Sequence, residues 1–488
     1  MTATLPEVRT IPVPLDGHGL TCAHVHAIVR DRLPVVVTDD GMARARTAHR
    51  TATEVTARRP VYGRTTGVGA NREFAVADLG DPEHGLRLLR SHAGGAGPAV
   101  DPHIARAMLA IRLNQLAAGG SGVDPALLDV LADAVNRGLT PPMRRYGAIG
   151  TADLTSLASA ALCVRGEQPW DGGALPAYPL ASADALAFIS SNAATLGEAA
   201  LACHDLSRLL RASVVVTALS FRAVDGSPEA YAAPVHESRP HPGQRTVAAQ
   251  LRALLADSAV PPARIQDPFA FRAVPQVHGP AMDALAYLDR VLTVEMNAAS
   301  ENPLVAEHDV FHNGNFHTAY VTQALDTTRA ALFGTASLSV ARLATLVEPG
   351  YTGLRPFLAD GPPTSSGILI LEYIAHSALA SLRHAAAAAA LGSAVLSRGM
   401  EEHASFSALA AHHTTDVVPA YEVVLACELV AAVRSLRQRG VTDIAGPLGA
   451  AFHRVAAVLD ESMADRPLAD DVAAATRVLP DLDLLAPG

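Results

Sequence analysis

Aromatic residues make up only 4% of this 488-residue chain, with a single tryptophan, and charged residues only 18%. So little charge beside 49% hydrophobic residues excludes a disordered chain and allows a large buried core. The formal net charge is −10 and no cluster of basic residues interleaves with aromatics, which excludes a nucleic-acid polymer as partner. Cysteine is scarce. Cys22, Cys163, Cys203 and Cys427 are scattered without CxxC spacing, which reads as buried thiols in a reducing compartment, with neither a disulfide framework nor a zinc site. The first residues lack the basic and apolar regions of a secretory signal. The alanine-rich, charge-free run over 385–397 is too short to span a bilayer. The expectation is a cytoplasmic protein without a metal and without a membrane segment.

What the chain has in abundance is alanine and leucine, which favour helix at little entropic cost. Extended segments are expected near the start, at 7–13 and 33–37, where β-branched residues cluster between turn signals. Helical patterns follow over 103–118, 125–136, 154–163 and 181–212, then over 282–298, 318–347, 366–397 and 415–439. Only Pro419 interrupts the later group. Helices of that length predict an all-α bundle. A small mixed N-terminal region, 1–180, is expected to sit on a long-helix core, 181–488.

Two motifs fail on inspection. Gly67-Val68-Gly69-Ala70-Asn71-Arg72 begins like a dinucleotide loop but lacks the third glycine and opens no long helix. In His236-Glu237-Ser238-Arg239-Pro240-His241 the second histidine falls five residues on, with a proline between, so the imidazoles share no helical face. The His412-His413 pair reads as a solvated or core polar contact.

Several other segments are unusual for a purely structural protein. Tyr62 sits in a glycine-rich loop, Val61-Tyr62-Gly63-Arg64-Thr65-Thr66-Gly67, where the backbone can approach a ligand without a Cβ clash. It is followed by Arg90-Ser91-His92-Ala93-Gly94, Arg239-Pro240-His241-Pro242-Gly243-Gln244, and Gln266-Asp267-Pro268-Phe269-Ala270-Phe271-Arg272 with Pro275-Gln276-Val277-His278-Gly279. Glu301-Asn302-Pro303-Leu304, Asn313-Gly314-Asn315-Phe316-His317 and Glu401-Glu402-His403-Ala404-Ser405-Phe406 complete the set.

In this order, from Tyr62 to Phe406, the segments resemble the histidine, phenylalanine and tyrosine ammonia-lyases and their related aminomutases. The resemblance implies an almost all-α subunit and a homotetramer whose active sites are each built from three chains. It makes Tyr62 the base that removes a β-proton. A phenol has a free pKa of about 10 and acts so only where its anion is stabilised. His92 corresponds to the residue facing the substrate side chain, and Arg272 to the arginine that pairs with the substrate carboxylate through its planar fork. Gln276, Asn302 and Phe316 fall among the substrate-binding positions, and Glu401 near the substrate amine or side chain. Plainer roles stay open: an interhelical salt bridge for Arg272, a helix-end histidine for His92, ordinary packing for Phe316 and Glu401.

The chain departs from the family at one place above all. The family's Ala-Ser-Gly triad cyclises to methylidene-imidazolone (MIO), the electrophile of its chemistry. Here the stretch reads Tyr146-Gly147-Ala148-Ile149-Gly150-Thr151-Ala152-Asp153-Leu154, one residue short. Either Gly150-Thr151-Ala152 or only Thr151-Ala152 stands in the triad's place. Cyclisation needs an unhindered glycine amide and a serine hydroxyl as leaving group, so MIO is expected to be absent and no cofactor is expected in its place. Phe269 replaces a tyrosine of the family pattern, and Gly399-Met400 an Asn-Gln pair. Strict register puts Ser190 at an active-site asparagine, with Asn192 the other candidate. The retained groups are those of proton transfer and carboxylate binding. The expectation is a MIO-independent carbon–nitrogen lyase acting on an amino-acid or betaine-like substrate, as ergothionase, thought to be a triad-less cousin, would suggest. The alternatives are an isomerase, cyclase or other specialised-metabolism enzyme on the same scaffold, and a non-catalytic homologue.

Overall fold

The computed structural model describes residues 11–78, 81–258 and 260–486. Helices account for 60% of the chain. The strands among the described residues form three two-stranded ladders: Val13–Leu15 beside Val35–Val37 in parallel, and the antiparallel pairs Ala96–Ala99 with Arg144–Tyr146 and Leu304–Ala306 with Asp309–Phe311. The expected strand over 7–13 falls mostly on residues outside those described; that over 33–37 is the edge Val35–Val37.

The chain forms two compact units, neither a single stretch. One comprises Met1–His204, Asp289–Leu325 and Ala388–His412; the other comprises Asp205–Leu288, Asp326–Ala387 and His413–Gly488.

At the centre of the first unit lies the helix Pro102–Ala117. Asp101 caps it, accepting from the His103 amide at 2.8 Å, and Pro102 opens it, both helix-start signals. The run from Ala105 to Ala117 is buried on every face, so its polar side chains must find partners inside. Arg112 does so completely. It pairs with Glu301 at 2.8 Å, donates to the Phe188 carbonyl at 3.0 Å, and donates to the Ala187 carbonyl.

Those two carbonyls end the short helix Ala185–Ile189 and explain a departure from the sequence expectation. The apolar run 181–212 is not one helix. It stops at Ser190 and restarts as Ala193–Ala223, where the Ser191 hydroxyl accepts from the Ala193 amide at 3.0 Å. Serine within an apolar run competes for backbone groups and favours caps. The stretch Ser182–Ala223 is long and apolar enough, by length and composition, to cross a membrane, yet its apolar window is wholly buried in the protein. The expected helix over 366–397 is likewise shorter, Ile370–Ala385. Its end is fixed by buried Arg329, which donates to the carbonyls of Ala385 at 2.8 Å and Ala387 at 3.1 Å.

In the second unit, buried Glu428 accepts from Ser220 at 2.7 Å, Ser339 at 2.6 Å and both arms of Arg342 at 2.6 and 2.9 Å. The remaining arm of Arg342 reaches the Ala270 carbonyl at 3.1 Å, and the Tyr231 hydroxyl holds the Phe271 carbonyl at 2.8 Å. The short turn Phe269–Arg272 is thereby anchored from below. Removing one member of such a buried pair strands the other, so Glu428→Ala is expected to cost about 3–5 kcal/mol. Thermal unfolding followed by circular dichroism checks this; an unchanged midpoint would show that Arg342 finds another partner.

Candidate active site

A cleft of about 730 Å³ in the first unit gathers most of the residues singled out from the sequence. Tyr62, His92, Thr151, Ala152, Ser190, Asn302, Phe316 and Glu401 all line it. The tyrosine loop closes on itself: the Val61 carbonyl accepts from the Thr65 amide at 2.9 Å and the Thr65 hydroxyl accepts from the Val61 amide at 2.8 Å. Gly63 stands at φ +70°, a conformation that suits glycine. Buried Arg64 pins the loop by donating to the Gly122 carbonyl at 2.8 Å beside Asp184 at 3.6 Å.

The Tyr62 oxygen accepts from the Gly69 amide at 2.6 Å. Gly69 has no room for a side chain, because a Cβ there would lie 2.7 Å from Ser397 Oγ, and that hydroxyl in turn accepts from the Ala70 amide at 3.2 Å. Ser397 and Arg398 both hold positive φ, 51° and 58°, a strain that local contacts must offset. The bridge from Leu396 to Glu401 then delivers Glu401 to the same cleft. Burial pushes the Tyr62 phenol above its ordinary pKa of 10, against the pull of the Gly69 amide; Glu401 pushes it further and Arg72 opposes.

Also lining the cleft, the Ser190 hydroxyl accepts from the Asn302 amide at 3.3 Å, and the Asn302 side chain accepts from the Asn313 amide at 3.0 Å. Asn192 is buried and does not line the cleft. Its amide donates to the Phe316 carbonyl at 2.8 Å, so Ser190 is the residue that faces inward and Asn192 props Phe316. His92 ends the helix Pro82–His92, with Nδ1 at 2.8 Å from the Leu88 carbonyl, and so is a helix-end histidine and a cleft residue at once.

The loop 147–153 is tightly held. Gly150 has φ +92° and is buried; its carbonyl accepts from the Thr318 and Ser405 hydroxyls, each at 3.0 Å. Asp153 takes the Thr195 amide at 2.7 Å and hydroxyl at 2.9 Å, and burial lifts its carboxyl to about 6.

Arg272 and Gln276 lie elsewhere. They line a separate, smaller cleft of about 440 Å³ in the second unit. The Arg272 guanidinium stacks 4.5 Å over the Phe269 ring. Arg272 Nε and Gln276 Oε1 are buried without a hydrogen-bond partner among the described residues, an arrangement that costs stability unless something else binds there.

A family model for aromatic amino acid lyases matches residues 20–458. The chain belongs to that family. It is similar to the histidine ammonia-lyase of Geobacillus thermodenitrificans, 32% identical over 482 residues, covering 94% of this chain and 95% of the relative. The histidine ammonia-lyase of Treponema denticola is also 32% identical, over 97% of each chain. Among solved structures, tyrosine aminomutase from Streptomyces globisporus superposes with a TM-score of 0.91 at 28% identity, covering 97% of this chain and 98% of that one. Ergothionase from Treponema denticola superposes at 0.89 over 97% and 99%, at 23% identity, a likeness of fold. The all-α, ammonia-lyase-like fold and the lyase class expected from the sequence are therefore those of the protein.

Family membership also puts into relief the cleft residues that sequence reasoning passed over. Arg72 follows the glycine loop at once, and His312 accepts from the Tyr62 amide at 3.2 Å with its ring edge-on to the phenol. Arg72 ends the segment Gly67–Arg72 that fails as a dinucleotide loop, and His312 directly precedes Asn313, so the signal for them was that adjacency alone. Charge on this wall adjusts the ionisation of Tyr62 that burial sets. Glu401→Gln is expected to lower the Tyr62 pKa and Arg72→Met to raise it. Ultraviolet difference titration against Tyr62→Phe reads both, and shifts of the same sign in both variants would refute the assignment.

Proposed function

We propose that the protein is a carbon–nitrogen lyase that works without MIO, eliminating an amine from an amino-acid or betaine-like substrate whose nitrogen is already a good leaving group. Family members use MIO formed autocatalytically from the protein chain. The residues here do not suit that group. A Cβ on residue 150, as the triad's alanine would carry, lies 2.0 Å from Ser405 Oγ, Thr151 bears an extra methyl where a serine should lose water, and Ala152 puts a Cβ beside the amide that must close the ring. The observation that carries the proposal is the conjunction: Tyr62 faces the same cleft as Thr151 and Ala152, so proton-transfer residues remain where the electrophile's residues have changed.

The chemistry then needs only what the chain holds. Burial and Glu401 hold the Tyr62 phenol protonated in the free cleft. A cationic head group entering beside it lowers its pKa, and its proton passes to solvent. The anion, held by the Gly69 amide, takes the β-proton. The C–H electron pair becomes the Cα=Cβ bond, and the Cα–N bond breaks with its pair leaving on a neutral amine. A quaternary nitrogen leaves in this way without prior activation, whereas a free amino group does not. The Glu401 carboxylate and the aromatic faces of Tyr62 and Phe316 suit a cationic head group, His92 the substrate side chain, and Ser190 and Asn302 its polar atoms. In the cytoplasmic homotetramer that we infer, Arg272 and Gln276 of a neighbouring copy meet the substrate carboxylate, which accounts for their unpaired buried atoms.

The test follows the absorbance of an α,β-unsaturated acid with N-trimethylated betaines set beside plain histidine, tyrosine and phenylalanine. Turnover of a betaine alone is expected, with Tyr62→Phe lowering it by about 10²–10⁴-fold. Full activity in that variant would remove Tyr62 from the role, and an isomerised or cyclised product would move the chain to another reaction. An intact mass is expected to equal that of the unmodified chain; a mass lower by two waters would mean that MIO forms after all.

A further inference from the structure

Away from the cleft, the fold assembles a set of donors that sequence spacing does not reveal. Cys22 is the first residue of the helix Cys22–Arg30, Cys203 lies in Ala193–Ala223 and Asp289 in Val274–Met296. Their two sulfurs and a carboxylate oxygen all fall within 4.8 Å of one another. A tetrahedral zinc site with Zn–S of about 2.3 Å sets its donors roughly 3.8 Å apart, so small rotamer changes suffice to close the three on one ion. Both thiols are buried, at 3% and 1% exposure, while Asp289 is exposed and offers a path from solvent.

The setting is held in place independently of the donors. The Leu20 amide donates to Asn297 Oδ1 at 2.9 Å and Asn297 Nδ2 returns a bond to the Leu20 carbonyl at 2.8 Å, fixing the start of the first helix against the end of Val274–Met296. One turn along from Cys22, His26 stacks on His204 at 4.1 Å, so imidazoles flank the thiols. Two thiols and a carboxylate cannot all carry charge there unless a cation joins them.

We propose that Cys22, Cys203 and Asp289 bind one thiophilic divalent cation, zinc by its preference for mixed sulfur and oxygen donors. Each thiol releases its proton to solvent as the metal binds. The ion ties the helix Cys22–Arg30 to the helices Ala193–Ala223 and Val274–Met296, and water completes the coordination. None of the three residues lines the Tyr62 cleft, so the role is structural and independent of the lyase reading.

The full-length protein, reduced and stripped with chelator, is titrated with cadmium. One equivalent per chain is expected to raise a thiolate-to-cadmium charge-transfer band, reversed by excess zinc. Cys22→Ser and Cys203→Ser should each abolish it, and Asp289→Asn should weaken uptake by at least about tenfold, the loss that even an outer-shell partner produces. Should a cysteine variant fail to fold, the wild type decides: zinc should slow alkylation of Cys22 and Cys203, mapped by peptide mass, and leave Cys163 and Cys427 unchanged. No band in the wild type, a band that survives Cys22→Ser, or reduced protein that takes up no cadmium but forms a Cys22–Cys203 disulfide in air would each overturn the proposal.

Discussion

The first unit depends on how one buried cation is satisfied. Arg112 is 1% exposed, and leaving its guanidinium without partners there would be prohibitive. Its donors go to Glu301 and to the last carbonyls of the short helix Ala185–Ile189. Those are the two ends of one wall: Ser190 follows that helix, and Asn302 follows Glu301. The hydrogen bond from Asn302 to Ser190 is thus drawn between two segments that Arg112 has already fixed. The cleft owes its shape to a charge that never touches it.

The same device recurs because of what the sequence omits. All 38 basic residues are arginine; there is no lysine. Arginine keeps its charge when buried and offers a rigid fork of donors that can cap several carbonyls at once. Arg329 closes a helix in this way, and Arg342 joins Glu428 to the Phe269–Arg272 turn. The absence of lysine also removes the most common amine base and Schiff-base former from consideration. In the proposed reaction this narrows the choice of base to the residues that face the cleft.

The long periodic helices were legible because apolar spacing and alanine content act locally. The breaks were not. At Ser190–Ser191 and after Ala385 the helix stops because distant arginines take its carbonyls, and nothing in the local pattern announces a partner 56 or more residues away. The cleft residues were legible through resemblance, since no local rule joins Tyr62 to Glu401. Their companions Arg72 and His312 went unmarked, and so did the meeting of Cys22 with Cys203, because proximity in space left no trace in spacing. Asn192 shows the finer limit. Register allowed either Ser190 or Asn192 at the cleft; Ser190 lines it, whereas the Asn192 amide is taken up by the Phe316 carbonyl.

The altered triad loop is better understood as a refilled space than as a loss. The Gly150 carbonyl is gripped by Thr318 and Ser405, and Ser407 Oγ stands 2.7 Å from the Thr318 hydroxyl. A Cβ on residue 150 would lie 2.0 Å from Ser405 Oγ and 2.8 Å from Ser407 Oγ. Thr151 and Ala152, which follow Gly150 in this held loop, line the cleft. In the proposed reaction these side chains offer nothing to capture an amine, but they suit the methyl groups of a quaternary nitrogen, which need contact and a nearby negative charge. Glu401 supplies that charge on the same cleft. On the proposed reading, the change that removed the electrophile also made the surface that its absence requires.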